Sequence, residues 1–251
     1  LGSLRDQGQT ILGGDVSVST VHKPVTAQER KFLDARGTVS ESATMRAMAY
    51  ALGESGEAGE RQLVELKAVD GRWPLFGSPR FAPAQDIADV LACEEDHVCG
   101  AAAEQAFVDR MRLTRGDLFR VGEATFRLMG VLENEPDRIS TGFSLGPRLL
   151  VHMDSLARTG LVTEESLVNW TYRVKLKAGE TIAGFGEASD ALTPEPNWRV
   201  RDSSDAAPGI RRFVEQVAMF LTLIGLTALA VGGAGAGHAI LAFLDRKRFD
   251  I

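Results

Sequence analysis

Hydrophobic and polar positions separate most sharply near the C-terminal end of the chain, where residues 217–244 contain no charged side chain. Thr222, Thr227 and His238 are the only polar side chains in this run. At about 1.5 Å of rise per residue, the run is longer than the roughly 30 Å of hydrocarbon in a bilayer. We predict one transmembrane helix here, because the alternative, a buried helix of a soluble protein, rarely exceeds about 20 residues without a polar face.

Basic residues flank both ends of this predicted helix. Arg211 and Arg212 precede it, and Arg246, Lys247 and Arg248 follow it. An excess of Lys and Arg at one membrane end favours retention of that end in the cytoplasm. The C-terminal end is therefore expected to be cytoplasmic, with the three basic residues as its interfacial anchor, and residues 1–207 are expected to be extracytoplasmic.

Upstream of the apolar run, apolar and polar residues alternate with the period of two that is typical of strands. Gly122 and Glu123 separate two such stretches and predict a tight hairpin. Strands are predicted at residues 16–20, 38–48, 64–68, 118–121, 124–132, 149–151, 170–176 and 198–200.

Helices are predicted from capping residues and from apolar spacing. Thr26, with Glu29 three residues later, has the pattern of a capping box, and Gly37 follows as the end of that helix. Further helices are predicted at residues 101–111 from four-residue apolar spacing, at 154–160 with Asp154 as N-cap, and from Pro208 into the apolar run. Residues 54–60, 71–100 and 179–208 are predicted to be mostly irregular.

One predicted strand has two faces of very different character. Trp170, Tyr172, Val174 and Leu176 form an apolar face, whereas Thr171, Arg173, Lys175 and Lys177 alternate with them. The basic face could bind an anion, or it could keep an exposed edge strand from pairing with another molecule. We favour the second interpretation.

Composition fits a folded domain with a single span. The chain is 44% hydrophobic and 25% charged, with a mean hydropathy of −0.05. Its net charge of −6 and pI near 5.4 argue against nucleic-acid binding, which requires clustered Lys and Arg. The chain begins at Leu1 without a signal-peptide pattern, so we expect it to be a piece of a longer protein.

Cys93 and Cys99 enclose a short segment that also contains His97. Thiols, imidazole and carboxylates are zinc ligands, but C-x5-C is not a recognised zinc spacing. An oxidising compartment favours pairing of two thiols. We therefore favour a disulfide, with free thiols and a metal site as the alternatives.

Small residues concentrate in one half of the apolar run. They are Gly232, Gly233, Gly235 and Gly237, and Gly233 with Gly237 forms a G-x-x-x-G pattern. Because small residues allow helices to approach closely in lipid, we expect them to pack against another transmembrane helix. His238 is an ionisable group in the membrane segment, which suggests a transport role. We favour the alternative, that it reaches the interface or bonds to a neighbouring helix.

Sequence motifs for catalysis are missing from the chain. It contains no G-x-S-x-G elbow and no G-x-x-x-x-G-K-[ST] phosphate loop. His22, His97, His152 and His238 show no partner spacing that would suggest a triad. We expect no catalytic residue, no bound cofactor and no metal.

Several blocks resemble one known family. The segment WRVRDSSDAAPGIRRFVEQVAMFLTLIGLTALAVGGAGAGHAILAFLDRKR, from Trp198 onward, is similar to the second transmembrane region of YbbP-type ABC transporter permeases, in the FtsX-like and MacB-like group. Upstream, GQTILGGDVSV, ATMRAMA, LVELKAVDGRWPLFG and RISTGFSLGPRLLV resemble the first extracytoplasmic domain of that family. The segment of residues 93–99 matches no block of the family.

The resemblance implies an α+β fold, with a porter-like mixed part, an inserted α/β part at about residues 80–162, and then one transmembrane helix. It also implies a first span before Leu1 and further spans after Ile251. The protein would be a permease subunit in the cell inner (plasma) membrane that holds no nucleotide. A separate cytoplasmic ATPase would drive movement of a lipophilic substrate, lipoprotein or peptide, and the basic residues at 246–248 would lead toward it.

Two other classes of function remain open. A single-span sensor would use an extracytoplasmic ligand-binding domain and a cytoplasmic signalling domain after Arg248. A membrane-anchored hydrolase would show turnover by the outer domain, since a Ser-His-Asp site can be dispersed along a chain.

Overall fold

The computed structural model describes residues 9, 12–52, 58–94, 98–138, 146–192, 198–202 and 208–247. The chain divides into two compact units, Leu1–Ala206 and Ala207–Ile251. The first unit contains ten strands and five helices among its described residues, and the second contains one long helix. The predicted α+β class is confirmed.

The strands of the first unit are β1 (Val16–Val21), β2 (Gly37–Leu52), β3 (Ala58–Val69), β4 (Arg80–Ala82), β5 (Cys99–Ala103), β6 (Leu118–Val121), β7 (Ala124–Asn134), β8 (Arg148–His152), β9 (Asn169–Leu176) and β10 (Arg199–Asp202). Its helices are α1 (Ala27–Arg36), α2 (Ile87–Val90), α3 (Gln105–Met111), α4 (Met153–Arg158) and α5 (Ile182–Leu192), and the helix of the second unit is α6 (Pro208–Lys247).

The long strand β2 organises the sheet. On one edge its first half pairs with β9 and its last residues pair with β6, while β3 pairs along the other edge. Strand β3 pairs with β8, β8 with β5, β5 with β7, and β7 with β6. Strands β2, β3, β8, β5, β7 and β6 therefore close into a ring. From the first half of β2, strands β9, β1 and β10 extend the sheet outward, and β4 pairs with β7.

Alternation along the strands separates two apolar cores. On β3, Leu66 and Ala68 are buried in the larger core, whereas Lys67 between them points to the opposite face. Aromatic rings fill the larger core, where the centroids of Phe107 and Phe119 are 5.3 Å apart. Complete burial of one large apolar side chain contributes about 1.5–3 kcal/mol. The smaller core, around Trp73, Phe81, Val90, Leu91 and Leu150, lies beneath α2.

Helix α1 begins and ends as its sequence predicts. The Thr26 hydroxyl accepts a hydrogen bond from the Glu29 amide, and the Glu29 carboxylate accepts one from the Thr26 amide, which completes the capping box. Gly37 caps the C-terminal end through a bond from its amide to the Leu33 carbonyl. A side chain at Gly37 would overlap the Lys175 carbonyl of β9, so this position requires glycine because of close approach.

The hairpin between β6 and β7 is also confirmed, with Gly122 at φ +59°. A side chain at Gly122 would overlap the carbonyl of Thr159. The hairpin turn therefore lies directly against the end of α4, and only glycine fits between them.

The predicted helix at residues 101–111 is wrong at its start. Ala101, Ala102 and Ala103 are completely buried in β5, between β8 and β7, and the helix begins only at Gln105. Alanine has the highest intrinsic helix propensity, but here its small side chain fits a strand that is covered on both faces. Tertiary packing decides the conformation.

Other boundaries differ from the predictions. The N-cap of α4 is His152, whose side chain accepts a bond from the Asp154 amide, so Asp154 is not the cap. Residues 58–60 begin β3, and the stretch 71–100 contains β4 and α2; both stretches were predicted to be irregular. Residues 53–57, from the same predicted loop, lie outside the described residues.

Helix α5 lies in a stretch predicted to be irregular. Its glycines at 184 and 186 weaken any helical pattern. Two interactions explain why it forms: Thr181 accepts a bond from the Gly184 amide, and Phe185 is completely buried, 5.5 Å from the Phe32 ring. Capping and burial outweigh the low propensity.

The interpretation of β9 as a protected edge strand is wrong. It lies between β1 and β2, hydrogen-bonded on both sides. Its apolar face is buried as predicted, with Tyr172 and Val174 inaccessible to solvent.

The strands of the predicted inserted part, residues 80–162, join the same sheet as β2 and β3.

Candidate functional site

Helix α6 contains the candidate membrane span. Its segment Gln216–Leu241 is 26 residues long and contains an 18-residue window with a mean hydropathy of 2.1, enough by length and composition to cross a membrane. Both threonines in the segment bond within the helix: Thr222 donates to the Ala218 carbonyl at 2.8 Å, and Thr227 donates to the Leu223 carbonyl at 3.0 Å. These bonds matter because hydrocarbon offers no partner to a hydroxyl.

The glycines of α6 do not share one face. At about 100° per residue, Gly233 and Gly237 fall on the same side of the helix, while Gly235 falls nearly opposite. A Cβ atom added at any of the four glycines, Gly232 included, would meet nothing within 4 Å. Packing against another helix stays a prediction, and Gly233 with Gly237 defines its best face.

The predicted basic anchor is only partly described. Arg246 and Lys247 form the end of α6, and Arg248 lies outside the described residues. His238 is helical and exposed, next to Gly237. Its role, and that of the anchor, remain predictions.

The first unit, Leu1–Ala206, is called the outer unit from here on. It contains a buried ion cluster centred on Lys67. The Lys67 Nζ atom lies 2.6 Å from Glu135 Oε1 and 2.8 Å from Asp137 Oδ1. The side chains of these three residues are 3%, 2% and 0% exposed. Because an uncompensated charge is costly to bury, the three must fold together.

Further donors complete the hydrogen bonding of both carboxylates. The Trp73 indole nitrogen donates to Asp137 Oδ2 at 2.9 Å, and Arg173 Nη2 lies 2.7 Å from the same oxygen. The Arg148 Nε atom donates to Glu135 Oε2 at 2.9 Å. With Glu65, 3.2 Å from Arg148, the cluster has three cations and three carboxylates, so its formal charges cancel.

The cluster changes the acidity of its members. Burial alone would raise the pKa of Asp137, but the charges of Arg173 and Lys67 and the bonds from Lys67 and Trp73 outweigh it and lower this pKa to about 2. Burial lowers the pKa of Lys67, against the opposing effect of Asp137 and Glu135. Asp137 is therefore a stable anion at neutral pH.

The ion pairs and hydrogen bonds of the cluster connect one turn, residues 135–138, to three strands. Lys67 is on β3, Arg148 is on β8 and Arg173 is on β9. At the end of the turn, Arg138 pairs with Glu104, whose carboxylate also accepts a bond from the Arg148 amide at 2.8 Å. Residues 139–145, which follow in the RISTGFSLGPRLLV block, lie outside the described residues.

Sequence reasoning did not select Lys67, Glu135 or Asp137. Lys67 occupies a regular polar position of an alternating strand, and the two carboxylates belong to a polar segment after β7. Nothing in these patterns distinguishes a buried ion from a solvated one. Arg173 was selected as part of a basic face, and the structure buries its guanidinium in this cluster.

Cys93 and Cys99 form a disulfide, with their Cα atoms 3.9 Å apart. A backbone bond from the Glu94 amide to the Val98 carbonyl, 2.9 Å long, closes the same small loop. Residues 95–97, including His97, lie outside the described residues. Within the described part of the chain, no group of three or more His, Cys, Asp or Glu could hold a metal ion.

Among the cavities at the surface of the outer unit, two are relevant to binding. One, of about 290 Å³, lies between α2 and β8 and is lined by Trp73, Leu91 and Cys93. The other, of about 680 Å³, lies where β1 ends and α1 begins, beside Trp198 and Arg199 of the β10 region. The larger one has the volume of a typical small-molecule site.

Comparison with known proteins gives one sequence relative. No protein-family model matches the chain. The chain is 28% identical over 190 residues to a protein described as the uncharacterized ABC transporter permease YbbP of Escherichia coli strain K12. The match covers 76% of this chain and 22% of that protein, so the chain spans about a fifth of the length of its curated relative. The resemblance to YbbP-type permeases is confirmed.

Solved structures with similar folds include the following two, both at low sequence identity. The periplasmic region of MacB from Actinobacillus actinomycetemcomitans has a TM-score of 0.48 and 10% identity, covering 82% of this chain and 95% of that one. The extracellular domain of the noncanonic ABC-type transporter YknZ from Gram-positive bacteria has a TM-score of 0.47 and 14% identity, covering 74% of this chain and 100% of that one.

Proposed function

We propose that this chain is part of the membrane subunit, the permease, of an ABC transporter. Helix α6 crosses the cell inner membrane, and residues 1–207 form an extracytoplasmic domain. The observation that carries this proposal is the sequence match to the YbbP permease over 190 residues. The apolar segment Gln216–Leu241, which is long enough to span a bilayer, supports it independently.

The orientation follows from charge. Two basic residues precede the span and three follow it, which favours a cytoplasmic C-terminal end. The disulfide in the outer unit supports the same orientation, because disulfides persist in oxidising compartments outside the cytoplasm.

In the proposed mechanism, a separate cytoplasmic ATPase supplies the energy and the permease itself holds no nucleotide. Membrane helices carry the motion of the ATPase to the outer domain, which moves a lipophilic substrate, a lipoprotein or a peptide. Such coupling requires an outer domain that moves as a body. The buried cluster around Lys67 supports this requirement, because it connects β3, β8, β9 and the turn at 135–138 through charged bonds.

The test is to purify the full-length membrane protein with each ATPase encoded beside its gene, and to measure ATP hydrolysis in lipid. A permease should co-purify with one ATPase and change its hydrolysis rate. Gly233→Leu and Gly237→Leu should reduce this coupling, since both fill the face expected to contact another helix. Ala228→Leu is the matched control, because it adds similar bulk on the opposite side of α6.

The outcomes separate the classes of function. Failure of every neighbouring ATPase to bind would contradict the permease proposal and favour a single-span sensor. If Ala228→Leu and Gly233→Leu reduce the coupling equally, the permease proposal still stands. The prediction that the face with Gly233 and Gly237 contacts another helix would then be wrong. Turnover by the outer domain would favour a membrane-anchored hydrolase.

A further inference from the structure

We infer that the cavity of about 680 Å³ at the junction of β1 and α1 binds a ligand carrying an oxyanion group. This site is independent of the proposed transport role. Its lining includes Val21, His22, Lys23, Asn169, Trp198 and Arg199. It therefore combines hydrogen-bond donors with apolar surface, as small-molecule sites do.

The charge of the cavity is opposite to that of the protein. Lys23 and Arg199 contribute two cations, and among the described residues neither side chain has an ion pair or a hydrogen bond. The single carboxylate in the lining, Glu29, is already engaged, because it accepts bonds of 2.6 and 2.9 Å from the amide and hydroxyl of Thr26. In a chain with net charge −6, two cations without carboxylate partners in one cavity favour an anion.

Trp198 adds an unsatisfied donor. It is 5% exposed, and its indole nitrogen has no hydrogen-bond partner in the described structure. A buried N–H without an acceptor is destabilising. The nitrogen itself is covered, so an acceptor oxygen bound in the cavity would satisfy it only after a small shift of the ring, while the exposed Asn169 carboxamide in the lining donates to a second oxygen.

The wall of the cavity is held in place by backbone contacts at His22. This residue has φ +70°, an unusual value for a side chain other than glycine. Its amide donates to the Val168 carbonyl at 2.9 Å, and its own carbonyl accepts a bond from Trp170 at 3.4 Å. Strained backbone fixed in this way is found at binding sites, and it makes the cavity pre-formed.

The simplest probe is inorganic phosphate. The full chain, labelled with ¹⁵N-tryptophan, is placed in nanodiscs of zwitterionic phosphatidylcholine, and phosphate is titrated at constant ionic strength. The chain has three tryptophans, and Trp198→Phe assigns the indole signal of interest. We expect a saturable shift of the Trp198 signal and no shift of Trp73, whose indole is bonded to Asp137.

Two variants of the same strand test the chemistry. Arg199→Gln should weaken phosphate binding about tenfold, the usual loss for a charge-assisted bond. Arg201→Gln removes the same charge from β10 outside the cavity and should leave the affinity unchanged. Lys23→Gln should behave like Arg199→Gln.

A second arm identifies the source of the oxyanion. In nanodiscs of anionic phosphatidylglycerol without added phosphate, a Trp198 shift that Arg199→Gln abolishes would also support the site and would assign it to a lipid headgroup. The absence of a saturable shift in both arms would overturn the inference. Equal weakening by Arg199→Gln and Arg201→Gln would overturn it too, because it would mean a diffuse surface charge.

Discussion

The ammonium nitrogen of Lys67 and the Oδ1 atom of Asp137 lie 2.8 Å apart, although 70 residues separate them in the chain. Both side chains are buried, with 3% of Lys67 and 0% of Asp137 exposed. The contact joins the C-terminal part of β3 to the turn after β7, so it can form only when the intervening strands have assembled into the sheet. It is consequently a property of the folded domain rather than of any local segment.

Removal of the Lys67 charge should destabilise the outer unit strongly. Lys67→Met leaves Asp137 and Glu135 buried with one cation fewer, and breaking a buried pair typically costs about 3–5 kcal/mol. All three tryptophans lie in this unit, so urea unfolding followed by their fluorescence measures the loss. Lys31→Met, at an exposed position of α1, is the control and should change stability by less than about 0.5 kcal/mol. Similar small effects in both variants would contradict the role of the cluster.

The same cluster predicts how stability depends on acid. The pKa of Asp137 is lowered to about 2 in the folded state, against about 4 in an unfolded chain. The folded state thus binds fewer protons than the unfolded state between these values. The stabilisation is complete above pH of about 4 and is lost as the pH falls toward 2.

The measurement is the free energy of unfolding as a function of pH for the wild type and Asp137→Asn. The variant should be less stable at neutral pH, and the difference between the two proteins should shrink as the pH falls through this interval. A difference that stays constant down to pH 2 would show that Asp137 is not held as an anion.

Local patterns predicted much of this fold because local physics determines it. The capping box at Thr26, the hairpin at Gly122 and the alternation of β9 depend on neighbouring residues, and all three appear in the structure. The apolar helix α6 is equally local, since length and composition define it.

What the sequence could not predict depends on distant partners. Arg173 alternates with apolar residues as a surface cation would, yet β1 and β2 enclose its strand and Asp137 neutralises its charge. Ala101 has a helical preference that two flanking strands override. The cavity beside Trp198 likewise brings together residues from β1, β9 and β10, which no sequence spacing connects.

The disulfide should contribute modestly and locally. It closes a loop with a sequence separation of six residues, for which chain-entropy arguments give about 2 kcal/mol. Reduction, or Cys93→Ser with Cys99→Ser, should lower stability by that amount and speed hydrogen exchange at the Gly100 amide, which bonds to Ala92. The double variant should not respond to dithiothreitol, which makes it the control. Unfolding of the whole unit on reduction would contradict a local role.

Tyr172 should resist ionisation in the folded protein. Burial and the nearby Glu41 carboxylate raise the pKa of its phenol, and the hydroxyl donates to Glu41 Oε1 at 3.1 Å. A raised pKa means that the neutral form is favoured by folding. Its contribution to stability is therefore fully present below pH of about 10, the ordinary value for tyrosine, and is lost progressively above it.

Ultraviolet titration near the tyrosinate band compares the wild type with Tyr172→Phe. The difference between their absorbances should stay flat through pH of about 10 and appear only at higher pH or in denaturant, where the buried phenol becomes accessible. Glu41→Gln keeps a hydrogen-bond acceptor but removes the charge, so it should bring the ionisation of Tyr172 to lower pH. Ionisation of Tyr172 at its ordinary pH in the folded wild type would mean that the β1–α1 region opens to solvent, which would also weaken the case for a pre-formed cavity there.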